Sequence, residues 1–333
     1  MKRANVAVFV PHLGCPHDCS FCNQRRISGH SDIPSPEDIA QTAKRGIDLL
    51  GGRAGASEFA FFGGSFTAIE PELMRSLLEA AAPFVGVGGF KGIRISTRPD
   101  AIDAWRLEIL KEYGVTAIEI GAQSMDDRVL AMNSRGHTAQ DVVNASAMIK
   151  AAGFELGLQM MTGLYGDTQD GALLTAAAIA ELYPATVRIY PTIVLRGTAL
   201  EQLYVDGRYK AQSIDDAVAL CAGLLSFFDA KSIRVIRLGL HASQGIEQGY
   251  VAGPWHPAFR ELCENVRYLK AAREALRGLK AQGAVLSVNS SEVSKLAGQH
   301  RANICALEKE FGMRIKIKAA LGLAPREVRA ARS

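Results

Sequence analysis

A chain of 333 residues, 48% hydrophobic and 22% charged, can bury a sizeable core, enough for one large α/β domain and a small appendage. No apolar run reaches the roughly 20 residues of a helical membrane span. The net charge of +4 is unevenly placed: Arg260 to Ser333 hold 15 Lys/Arg against seven Asp/Glu, a basic tail suited to an anionic partner such as RNA.

The N-terminus has a short basic start and an apolar stretch but no Ala-x-Ala-like cleavage site. It reads as a first strand, with a cytoplasmic location as the expectation. Strands are predicted over Asn5–Val10, Glu58–Phe62, Gly92–Thr97, Thr116–Gly121, Phe154–Met161, Thr186–Pro191 and Ser232–Leu238, rich in Val, Ile and Phe and bounded by Gly or Pro. Helical patterns fill the intervals: Pro36–Leu50, Pro71–Ala82, Ala104–Tyr113, Ala139–Ala152, Gly171–Leu182 and Asp215–Asp229. Strict alternation of this kind builds a parallel sheet with right-handed crossovers. With fewer units than the eight of a closed barrel, the expected fold is α/β, a partial (β/α)6 TIM-like barrel with a small C-terminal α/β unit.

The barrel is assigned to residues 1–240 and the extension to residues 241–333. The extension should contain a long charged helix (Ala258–Leu279), a strand (Val285–Val288), helical residues Glu292–Phe311, a strand (Met313–Lys318) and a frayed last dozen residues.

Six cysteines do not form a disulfide framework. Cys221, Cys263 and Cys305 are solitary within apolar helical patterns and read as buried small hydrophobes. Cys15, Cys19 and Cys22 are spaced C-x3-C-x2-C just after the first strand. Three thiolates on one loop can each bind one iron of a cubane and leave the fourth iron open to a small molecule. A zinc site completed by His12, His17 or His30 and a set of three free thiols are the other readings. Further words end later strands: Gly63-Gly64-Ser65, Ser96-Thr97-Arg98-Pro99-Asp100, Glu119-Ile120-Gly121-Ala122-Gln123-Ser124, Arg135-Gly136-His137-Thr138 and Gln159-Met160-Met161-Thr162-Gly163-Leu164. In such sheets the chemistry sits at the carboxyl ends of the strands.

The cysteine spacing with its Phe21-Cys22 step resembles the radical S-adenosylmethionine (SAM) superfamily. The ordered set of words, from about Val6 to Gly197, resembles the radical SAM domain of the Elongator catalytic subunit family and, more distantly, the oxygen-independent coproporphyrinogen oxidases. The resemblance implies a [4Fe–4S] cluster on Cys15, Cys19 and Cys22, with SAM on its open iron. It implies SAM contacts from Phe21 beside the adenine, from Gly63, Gly64 and Ser65 around the methionyl ammonium, and from Gln123 and Arg135 toward the methionyl carboxylate and ribose. Ser96 and Gln159 complete the expected cofactor site, although Ser96 stands where these families often carry Glu and Gln159 where they carry Asp or His.

The implied activity is reductive cleavage of SAM to a 5′-deoxyadenosyl radical for modification of an RNA substrate, a tRNA base, with an electron donor such as flavodoxin or ferredoxin and no membrane partner. A small-molecule or peptide substrate is the alternative, and a non-catalytic zinc- or RNA-binding protein the second. No R/Q-x-x-G-x-G/A acetyl-CoA loop opens a helix after the barrel, so acetyl transfer is not expected of this chain. The order Val293–Lys318, with Gly298-Gln299-His300-Arg301 between helical runs, resembles the heart of a KH RNA-binding module.

Overall fold

The computed structural model of the protein describes residues 4–10, 15, 19–23, 32–240 and 242–333. His12, His17 and His30, the candidate zinc ligands, lie outside the described residues.

Strands buried on both faces need continuous apolar runs rather than alternation. Phe59, Ala60 and Phe61 supply one, and all three are wholly buried. They lie in β2 (Glu58–Gly63). This strand joins β1 (Asn5–Val10), β3 (Gly92–Thr97), β4 (Val115–Gln123), β5 (Glu155–Thr162), β6 (Thr186–Pro191) and β8 (Arg234–Leu238). The seven make one parallel sheet in the order β1-β2-β3-β4-β5-β6-β8, with β1 and β8 at its edges. It is the open, curled sheet of a partial barrel, the α/β class expected from the alternation.

Local chemistry sets the crossover helices. Ser35 accepts from the Asp38 N–H at 3.1 Å while Asp38 accepts from the Ser35 N–H at 3.0 Å, a reciprocal cap on the helix Pro36–Leu50. Thr138 and Asp141 repeat that cap at Ala139–Ala151. Between and after the main strands lie pieces with little sequence signal: the short pair β7 (Val194–Leu195) and β9 (Tyr250–Ala252), and the helices Asp127–Met132, Ala199–Val205 and Gln244–Gly249.

The chain divides into two compact units, residues 1–213 with 228–255, and residues 214–227 with 256–333. In the second unit, β10 (Gly283–Asn289) pairs in parallel with β11 (Arg314–Ala320) and antiparallel with β12 (Arg329–Arg332). Its core packs Tyr268, Leu276, Leu286, Val288, Leu296, Ile304 and Leu307.

Two expectations change here and one is refined. The last dozen residues do not fray, because β12 pairs with β10; Arg-Ala-Ala-Arg has little intrinsic strand preference, and the pairing is non-local. The helical run Glu292–Phe311 breaks into Val293–Ala297 and Ala302–Phe311, with Gly298, His300 and Arg301 all at positive φ between them. Cys221 and Cys263 are buried, but Cys305 is exposed, since the helix turns its neighbours Ile304 and Leu307 into the core instead. Among the described residues no helix is long and apolar enough to cross a membrane.

Candidate active site

All seven strands of the large sheet run the same way, so the ends of β1 to β6 gather on one side. A cavity of about 480 Å³ opens among them. Phe21, Cys22, Gly63, Ser96, Gln123 and Gln159 line it, together with Phe62, Arg188, Tyr190 and Arg237.

Residues 19–23 are anchored from two later parts of the chain. The Ser20 N–H donates to the Asn133 carbonyl (3.1 Å) and its hydroxyl to Asn133 Oδ1 (2.7 Å). The Leu200 N–H donates to the Ser20 carbonyl at 2.7 Å, and the Cys22 N–H to the Cys19 carbonyl at 3.0 Å. Phe21 packs against the cluster of Val194, Leu200 and Tyr209.

Cys19 is buried, and Cys15 and Cys22 are half-buried; none is in a disulfide. Arg135, itself buried, donates through Nη1 to Cys19 Sγ (3.1 Å) and through Nη2 to the Gly121 carbonyl (2.8 Å). The Cys15 thiol is pushed up by burial and by Cys19, against the pull of Arg98, Arg135 and the Ser65 N–H. Arg98 is fixed by a two-point bond to Asp100, Nε to Oδ1 at 2.8 Å and Nη2 to Oδ2 at 2.7 Å, which leaves its buried Nη1 without a partner. Two guanidinium groups therefore face the thiols.

Gln123 ends β4 at a shift in register with β5, in the left-handed region at φ 65°. Its buried Oε1 has no hydrogen-bond partner. Such an atom costs free energy unless a ligand meets it. Gly121 makes room for this arrangement, because a Cβ there would come within 2.8 Å of Gln123 Nε2. Gly63 is also required, since at φ +124° a Cβ would fall 2.2 Å from the Val10 carbonyl oxygen. The Gly64 N–H donates to that same oxygen at 3.0 Å.

Gly64, Ser65, Arg135, Cys15 and Cys19 are not part of the cavity wall. The buried Ser65 hydroxyl bonds to Thr97 Oγ1 at 2.8 Å and accepts from the Arg98 N–H at 3.1 Å. His137 sits with Nε2 3.2 Å from the Ala122 carbonyl, and burial, then Arg135, lower its pKa to about 4, so the ring is neutral at pH 7.

At the cavity wall lies a charge network of which only Glu119 and Gln159 were singled out from sequence. The buried Glu119 carboxylate accepts from Arg94 Nη1 (3.2 Å), Arg188 Nη2 (2.9 Å) and Gln159 Nε2 (3.0 Å). Arg94 also reaches Glu58 and Glu155, both at 2.7 Å. Burial works against the charge on Arg188, but Glu119 more than offsets it and holds that guanidinium charged. Arg188 lies 4.7 Å from the centroid of the Phe62 ring. The only sequence signal for this network was the Glu in Glu119-Ile120-Gly121 and the charges interrupting apolar strands.

Among the described residues, no three His, Cys, Asp or Glu side chains form a group that could hold a metal ion. Residues 11–14 and 16–18, which flank Cys15, lie outside the description. The donor set nevertheless fits an iron–sulfur cluster by its chemistry. It offers sulfur only, faced by two guanidinium groups, beside a cavity with an unpartnered amide oxygen.

The Radical SAM superfamily matches residues 9–177, half of the chain. The chain belongs to the radical SAM superfamily. A Radical_SAM C-terminal domain matches residues 184–270. This radical SAM protein is 32% identical over 200 residues to human Elongator complex protein 3, covering 54% of this chain and 37% of that protein. It is 25% identical over 237 residues to the tRNA uridine(34) acetyltransferase of Dehalococcoides mccartyi, covering 61% of this chain and 52% of the relative. The chain thus spans about half or less of the length of these two relatives. The solved Elp3 of Methanocaldococcus infernus, lacking residues 1–46, superposes with a TM-score of 0.65 at 20% identity, over 84% of this chain and 64% of that one. That likeness concerns the fold: the partial barrel of radical SAM proteins.

Proposed function

We propose that this chain is a radical SAM enzyme that binds a [4Fe–4S] cluster through Cys15, Cys19 and Cys22, binds SAM in the adjoining cavity and modifies an RNA substrate, a tRNA base. The observation that carries the reading is the pairing of thiols flanked by Arg98 and Arg135 with a cavity lined by Gln123, whose buried Oε1 has no partner.

When bound, the cluster supplies the electron that cleaves SAM to methionine and a 5′-deoxyadenosyl radical. The protein supplies position. Arg135, donating to Cys19, sets the orientation of one thiolate and offsets its charge. Gln123 Oε1 offers an acceptor to a ligand donor, and Phe21 offers an apolar wall. By the resemblance, Gly63 at the cavity wall is assigned to the methionyl ammonium with Gly64 and Ser65 behind it, and Gln123 at the wall to the carboxylate and ribose region with Arg135 behind it. Gln159, held by Glu119, and Ser96 contribute polar groups at the cavity floor. Phe9, Phe62, Met161, Ile193 and Leu195 keep the wall apolar, which shields a carbon radical from water.

RNA as substrate is supported by the tRNA-directed relative and by the basic C-terminal stretch. We assign residues 1–240 to the catalytic barrel and residues 241–333 to a KH-like, RNA-binding extension. An electron donor such as flavodoxin or ferredoxin, and a cytoplasmic location, complete the proposal. Protein purified without oxygen should be brown with about four irons per chain. Incubated with dithionite, SAM and total tRNA, it should give 5′-deoxyadenosine and a new nucleoside mass. A colourless, zinc-loaded protein would overturn the cluster. Formation of 5′-deoxyadenosine without any change in tRNA would redirect the search to small molecules or peptides.

A further inference from the structure

We infer that the solvent face of the sheet β11-β10-β12 docks the backbone of a single-stranded RNA segment, through a row formed by Arg314, Lys316 and Lys318. The inference rests on the reading of this chain as RNA-directed and assigns the contact to one surface.

Alternate residues of β11 point to opposite sides. Ile315 and Ile317 pack on the core of this unit, whereas Arg314, Lys316 and Lys318 are exposed on the other face. The central strand places small or short side chains beside them: Gly283 opposite Arg314, Val285 opposite Lys316 and Ser287 opposite Lys318. Across β10, Ala331 stands opposite Val285 and Arg329 opposite Ser287. The result is a row of cations flanking a shallow strip.

The three cations take part in no ion pair or side-chain hydrogen bond among the described residues, whereas their neighbours do. Arg329 is bridged to Glu327 at 2.6 Å, Arg273 to Glu310 at 2.8 Å, and Glu308 is engaged by the Ile315 N–H at 2.9 Å. Side chains two apart on a strand repeat about every 6.7 Å, a spacing comparable to that of successive phosphates on an extended strand. Like charges held in line repel one another, and a linear polyanion offsets that repulsion. A folded RNA presents such strands in its loops and ends. Leu321 is the one large apolar side chain exposed just past the row, too little for a bilayer to hold.

The test compares the full chain with two triple variants, using total tRNA as probe over a range of salt. One removes the row (Arg314→Thr, Lys316→Thr, Lys318→Thr). The other removes equal charge from exposed helix and loop positions of the same unit (Lys270→Gln, Lys280→Gln, Lys309→Gln). Each single-strand phosphate contact contributes about 0.7 to the slope of log affinity against log salt, so losing the row should flatten it by about 2. The helix-side variant should keep the slope. SAM cleavage without RNA, and the thermal unfolding curve, should be unchanged in both. An unchanged slope in the row variant, or equal flattening in both variants, overturns this surface while leaving RNA as the substrate. Wild-type chain that cleaves SAM but binds no tRNA removes both readings. Row-dependent binding to vesicles of anionic phospholipid with no tRNA binding replaces RNA with a membrane surface and overturns the inference.

Discussion

Arg135 Nη1 donates to Cys19 Sγ at 3.1 Å across 116 residues of sequence, while its Nη2 holds the Gly121 carbonyl. One planar guanidinium thus ties the cysteine segment to the end of β4, the strand that presents Gln123. Lysine, a point charge on a flexible stem, cannot span both acceptors. Arg135→Lys should therefore lower iron retained after reconstitution and slow SAM cleavage at least tenfold. Arg135→Ala should in addition cost about 1–3 kcal/mol in urea unfolding, because a buried carbonyl loses its donor. Wild-type iron content and cleavage in both variants would show that the contact is incidental.

Cys19→Ala should abolish the visible absorption of the cluster and all formation of 5′-deoxyadenosine. Cys221→Ala, which alters a wholly buried thiol in the other unit, should preserve both and cost only stability. If Cys19→Ala kept its colour and cleaved SAM, the ligand assignment would be lost.

Glu119 accepts from three side chains in a water-poor interior. Glu119→Gln leaves Arg188 buried without its carboxylate, although Arg94 keeps Glu58 and Glu155. Breaking a buried pair costs about 3–5 kcal/mol. A denaturant midpoint equal to wild type would show that water or Tyr190 compensates fully.

His137 titrates at about 4 in the folded protein, below its ordinary 6.5, because burial and Arg135 disfavour the imidazolium. The unfolded chain therefore binds more protons between those values, and stability falls as pH drops from about 6.5 toward 4. The loss attributable to this ring approaches about 3 kcal/mol at the low end. His137→Gln keeps a donor for the Ala122 carbonyl and should flatten that part of the profile; urea unfolding of both proteins at pH 4.5 and 7 measures it.

The parallel strands were legible because a buried strand announces itself locally, as Phe59-Ala60-Phe61 does between Ser57 and Gly63. Cys22, Gly63, Ser96, Gln123 and Gln159 meet at one cavity because they follow, end or lie within strands of the same sheet. Arg98 and Arg188 were not legible as site residues. What matters about them is whom they face, and those partners lie tens of residues away or in another strand. β12 was hidden for the same reason, since its strand character comes from β10. The loop at Gly298–Arg301 was legible between two helical runs, but the left-handed backbone at His300 and Arg301 was not, since no residue preference suggests it.

Ser20 is fastened to Asn133 and to Leu200. During synthesis, residues 19–22 emerge from the ribosome long before either anchor exists. The segment that carries the thiols can take its final surroundings only once Leu200 has been made. A nascent chain arrested before Leu200 should expose Cys19 to alkylating reagents, which the finished fold keeps out.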